Sequence, residues 1–91
     1  MRTETEIRTQ IDILKFRIKR DESKIDILDQ SQREAQRIYQ DCGTLNHQRQ
    51  IEKQILDYGK LILATKQDLK TWKENLAKDE QYLVYLLNQK E

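Results

Sequence analysis

The side chains that could do chemistry are few, and their spacing argues against most of it. Cys42 and His47 lie five positions apart. A thiolate beside an imidazole can act as a nucleophile pair, and both can ligate zinc. Zinc wants four ligands, and one cysteine and one histidine fall short. A nucleophile pair also needs a pocket, and nothing in the chain supplies one. Cys42 therefore reads as a small packing residue and His47 as a solvated turn residue. The carboxylate pairs Asp21–Glu22 and Asp79–Glu80 sit among basic residues and read as ion-pair partners. No glycine-rich phosphate loop and no acid-ladder calcium loop occurs. The expectation is a protein that is not an enzyme, with no metal, no cofactor and no small-molecule ligand.

The charges exclude less. Arg8, Lys15, Arg17, Lys19, Arg20 and Lys24 crowd the first quarter of the chain and could contact nucleic-acid phosphates. The whole chain, however, holds 17 basic and 16 acidic residues in 91, for a net charge of +1. Neither half is basic, whereas a duplex-binding protein usually shows a basic half or face. A solvated helix face is the simpler reading of these six residues.

The elements that must position these residues are written in the apolar spacing. One seven-residue ladder runs Ile7, Ile11, Leu14, Ile18, Asp21, Ile25, Leu28, Gln32, Ala35, Tyr39, Cys42. A second runs Ile51, Ile55, Tyr58, Ile62, Thr65, Leu69, Trp72, Leu76, Asp79, Leu83, Leu86. Steps of four and three, sustained this long, define a coiled-coil seam. The absence of proline permits nearly continuous helix. The ladders differ in phase by two residues, a rotation of about 200° on an α-helix. Coiled-coil discontinuities of three or four residues do not produce that offset. The chain must therefore break between them.

Gly43 stands where a left-handed cap would end the first helix, and Thr44 and Asn46 could each cap the second. The prediction is an all-α, antiparallel two-helix coiled-coil hairpin forming a single domain over 1–91. Helix 1 is expected at about 3–42, the turn at 43–47 and helix 2 at about 48–89. A parallel homodimer of rods would stack Asp21 on Asp21 and Asp79 on Asp79, so the hairpin is preferred.

Two registers compete. Pairing residues whose numbers sum to 97 sets Gln32 opposite Thr65. It matches Lys15 with Glu80, Glu22 with Lys73 and Asp29 with Lys66, and places Ile38 beside Leu61. A sum of 90 brings Lys15 onto Lys73 and Gln32 onto Tyr58, with a tighter turn. The complementary charges favour 97. In that register Asp21 faces Leu76 and Asp79 faces Ile18, so a basic neighbour such as Lys24 or Lys78, or water, is required.

Apolar residues remain after the seam is closed. Helix 2 carries Leu56, Leu63, Val84 and Leu87, with Gly59 and Ala77 small enough for another helix to approach. The stretch from Tyr82 to Leu87, including Tyr85, is apolar all round. Helix 1 adds Ile13, Phe16 and Ile27. The residues expected to form a partner or oligomer interface are Ile13, Phe16, Leu56, Leu63, Val84, Tyr85 and Leu87. Self-association into a four-helix bundle or larger oligomer would cover them.

The functional expectation is a protein–protein interaction module acting in assembly, as an adaptor or as an inhibitor, with a protein partner and itself as ligands. The alternative is an oligomeric nucleic-acid-binding accessory protein using the basic strip on helix 1. The N-terminus is polar and the longest apolar run, Tyr82 to Leu87, cannot span a bilayer. With one cysteine and no secretion signal, a soluble cytoplasmic protein without membrane contact is expected. A complete small gene product and the tip of a longer coiled-coil arm both fit the chain.

Overall fold

A computed structural model describes residues 2–89. Helix α1 covers Glu4–Asp41 and helix α2 covers Leu45–Gln89. They lie side by side and antiparallel, forming a rod of 71 × 15 × 14 Å. Thr3 opens α1 with a capping box: its hydroxyl accepts from the Glu6 N–H, and the Glu6 carboxylate accepts from the Thr3 N–H. Glu4 and Glu6 place negative charge at the positive end of the helix dipole.

The turn is shorter than the sequence suggests, spanning 42–44 and not 43–47. Cys42 is the C-cap, in extended conformation, and its N–H donates to the Tyr39 carbonyl. No glycine has positive φ, so Gly43 is not a left-handed cap. Its freed carbonyl neighbours are satisfied differently: the Gln48 side chain donates to the Cys42 carbonyl at 2.9 Å. The Thr44 carbonyl accepts the first bond of α2 from the Gln48 N–H at 3.0 Å. Helix 2 thus begins at Leu45, and Asn46 and His47 lie inside its first turn.

The two ladders form the seam. Ile7, Ile11, Leu14, Asp21 and Ala35 of α1 and Ile51, Thr65 and Asp79 of α2 are buried. Every other ladder residue is partly covered except Tyr39, which at 37% exposure lies at the turn end.

The register is the one with a sum near 90. Gln32 donates to the Ile55 carbonyl at 3.1 Å and lies against Gly59, far from Thr65. Asp21 meets Trp72, not Leu76. The three complementary pairs expected from a sum of 97 do not form; Asp29 binds Arg33 on its own helix. Ile38 shares a surface depression with Gln54 and Tyr58, one heptad from Leu61.

The physical reason lies at the turn and at the ends of the ladders. Both registers close ten seam layers. The longer one leaves Ile7 and Ile51 unmatched, whereas the observed one leaves Cys42 and Leu86. Ile7 is 0% and Ile51 3% exposed. Matching Ile7 and Ile51 in place of Leu86 and the smaller Cys42 favours the observed register by at most about one large apolar side chain, roughly 1.5–3 kcal/mol, against surface ion pairs of about 0–1 kcal/mol each. The shorter turn also adds a helical turn to α2.

Candidate interaction surface

The seam contains two buried carboxylates, and each has its own partner. Asp21 accepts from the Trp72 indole N–H at 3.0 Å, and Arg20 Nε lies 3.5 Å away. The Arg17 guanidinium stacks over the Trp72 ring at 4.9 Å, closing the cluster from outside. Asp79 pairs with Arg2 Nη2 at 2.9 Å, and the same guanidinium lies 5.7 Å from the centre of the Tyr82 ring. The expected neighbours Lys24 and Lys78 take no part in these pairs. Thr65 satisfies its hydroxyl on the Leu61 carbonyl of its own helix. Among the described residues no buried side-chain nitrogen or oxygen lacks a partner. The buried polar atoms of the seam are therefore satisfied within the hairpin, as singular residues that break the repeat.

Cys42 is a half-buried free thiol in the turn, and His47 is exposed on α2. Among the described residues no group of three metal-ligating side chains comes together. Among the described residues no helix is long and apolar enough to cross a membrane.

The surface divides into two flanks. One is marked by a depression between the helices lined by Arg8, Asp12 and Lys15 of α1 and Glu80 and Val84 of α2. Steps of seven residues add Lys19, Glu22, Asp26 and Asp29 on α1 and Leu56, Leu63, Lys66, Lys70, Lys73, Ala77 and Leu87 on α2 to this lysine flank. The opposite flank is marked by Ile27, Ser31 and Ile38 against Gln54 and Tyr58. Further along it lie Gln10, Asn75, Lys78 and Tyr82. Steps of seven add Ile13, Arg17, Arg20 and Lys24 on α1 and Tyr85 on α2 to this tyrosine flank. Phe16 sits on the outer back of α1.

All seven expected interface residues are exposed. Phe16 is 68% exposed, Leu56 and Leu63 60% each, Val84 57%, Tyr85 54%, Ile13 40% and Leu87 38%. They do not form one face. Leu56, Leu63, Val84 and Leu87 share the lysine flank, whereas Ile13 and Tyr85 share the tyrosine flank. There the Tyr82 and Tyr85 rings stack with centroids 6.2 Å apart. Gly59 does not open space for another helix. A Cβ there would meet the Gln32 side chain at 3.3 Å, so its missing side chain makes room within the hairpin.

The six basic residues of helix 1 also divide between the flanks, with Arg8, Lys15 and Lys19 on one and Arg17, Arg20 and Lys24 on the other. Arg8 is held by Glu4 at 3.0 Å, and Arg17 and Arg20 are engaged with the Trp72–Asp21 cluster. Sequence periodicity picked out seven exposed apolar residues but not Leu45, Leu61, Ile38 and Tyr39, which are exposed too. It missed Arg2 and the Trp72–Asp21 bond, because each depends on which heptads face each other.

No family model, no curated protein and no solved structure matches this chain.

Proposed function

We propose that this hairpin is a non-enzymatic coiled-coil interaction module, an assembly, adaptor or inhibitor factor that self-associates and docks a protein partner. The supporting observation is that large apolar side chains stay open to solvent on both flanks after the seam has been closed. Covering one such side chain contributes roughly 1.5–3 kcal/mol. Bringing two molecules together costs about 4–15 kcal/mol. One anchor is insufficient; several, repeated by symmetry in two copies, are enough.

The tyrosine flank suits a second copy. Its four basic residues Arg17, Arg20, Lys24 and Lys78 are nearly balanced by the five acids Glu6, Glu34, Asp41, Asp57 and Asp68, so two such faces meet with little net repulsion. Light scattering at micromolar concentration should give a mass at least twice that of the monomer. Ile13→Glu combined with Tyr85→Glu should reduce it to the monomer with helicity unchanged. A strictly monomeric parent chain with no detectable partner would end this reading.

A further inference from the structure

We infer that the lysine flank is a groove for an amphipathic helix of another protein, acidic along the part that lies against Lys66, Lys70 and Lys73. This rests on the docking reading above and names the chemistry of the partner. Three depressions run along α2 and connect through shared residues. The first lies between Lys66 and Ala77, the second between Ala77 and Val84, and the third reaches from Glu80 and Val84 across to Arg8 and Lys15 of α1. From Lys66 to Val84 the groove is about 27 Å long, which suits about 18 residues of helix.

Its floor is apolar: Leu69 and Ala77 at one end, Leu83 and Val84 at the other. Ala77, midway, is small enough for a third helix axis to come close. A sum near 90 sets Lys15 level with Lys73, adding positive charge there, and sets Glu22 level with Lys66, so the positive excess is concentrated at Lys15, Lys70 and Lys73. Among the described residues every ion pair uses an arginine. Lys66, Lys70 and Lys73 form no ion pair, even with Glu74, the carboxylate that lines the same depression, and all three are exposed beside an apolar floor. A helix with a greasy stripe and adjoining glutamates or aspartates satisfies both features.

Other occupants fit less well. A nucleic-acid backbone would engage the lysines and leave Leu63 and Val84 uncovered. A second copy meets the groove poorly. Its α2 would set lysine against lysine, and the acids on this flank of its α1, such as Glu22 and Asp26, have no apolar residues beside them.

The test uses the full chain and two labelled synthetic peptides of about 18 residues with the same leucine stripe, one flanked by glutamates and the other by lysines. Fluorescence anisotropy should show the glutamate peptide binding at least about tenfold more tightly, and losing affinity as salt rises. Lys66→Glu, Lys70→Glu and Lys73→Glu together should reverse the order of the peptides. Ala77→Phe, which fills the groove without changing charge, should weaken the glutamate peptide about tenfold. Equal binding of both peptides, or indifference to Ala77→Phe, would overturn the inference. So would displacement of the peptide by a short DNA duplex that binds more tightly. Light scattering on the same samples separates the two readings: oligomers without peptide preference remove only the groove, and monomers that bind neither peptide remove both.

Discussion

Trp72 illustrates how a seam residue can do more than fill space. Its ring packs between the helices while its indole N–H neutralises the isolation of Asp21. Removing one partner of a buried polar pair leaves the other desolvated and unmatched, at a cost of about 1–3 kcal/mol. Trp72→Phe keeps most of the apolar contact and loses only the donor. We expect urea denaturation to show a destabilisation in that range. A double change, Asp21→Leu with Trp72→Phe, should recover most of it, because replacing both partners by apolar groups is close to neutral. If the single variant is as stable as the parent chain, the bond carries no energetic weight.

At the scale of the elements, the ladders were legible because burial repeats with the helix. All but Tyr39 of the ladder residues ended up covered. The register was not legible for a reason built into the same pattern: a seven-residue repeat looks identical after a shift of seven. Only features that break the repeat can choose, namely the turn, the ends of the ladders, and singular residues such as Arg2, Gln32 and Trp72. Surface charges offered a plausible choice and were outweighed. Gly43 was misread for a related reason, since a glycine after a helix suggests a left-handed cap and here the chain leaves α1 through an extended Cys42. Open space surrounds the position where a Gly43 side chain would go. Gly43→Ala should therefore stabilise the hairpin by about 0.4–1 kcal/mol by restricting the unfolded chain. Thermal denaturation would show a raised midpoint; a lowered one would mean that the turn needs glycine's freedom.

On the scale of the whole rod, register determines which surface is presented. With Cys42→Ser as background, spin labels at Lys24 and Asp68 should be closer than labels at Lys24 and Asn75, because the second pair is offset along the rod by roughly the 10 Å that seven residues of helix occupy. The reverse order would restore the sum of 97 and disperse the lysine groove, since Lys15 would then face Glu80. The candidate surface was thus only half readable beforehand. Periodicity alone gives the exposure of Phe16, Leu56, Leu63 and Val84, but not that of Tyr39 and Leu45, which depends on the turn. Which of them share a flank with Lys66, Lys70 and Lys73, and what lies opposite across the seam, follows only from the fold.

The three-residue turn has a mechanical consequence. Arg2 reaches Asp79, so the start of α1 and the end of α2 lie together at the pole opposite the turn. Tension applied between those two helix ends acts across the seam and loads the layer of Ile7 and Leu83 first, then each next layer in succession. The hairpin should peel open like a zipper under small force, whereas a pull along its length from turn to open end would load all the layers together and meet much stiffer resistance.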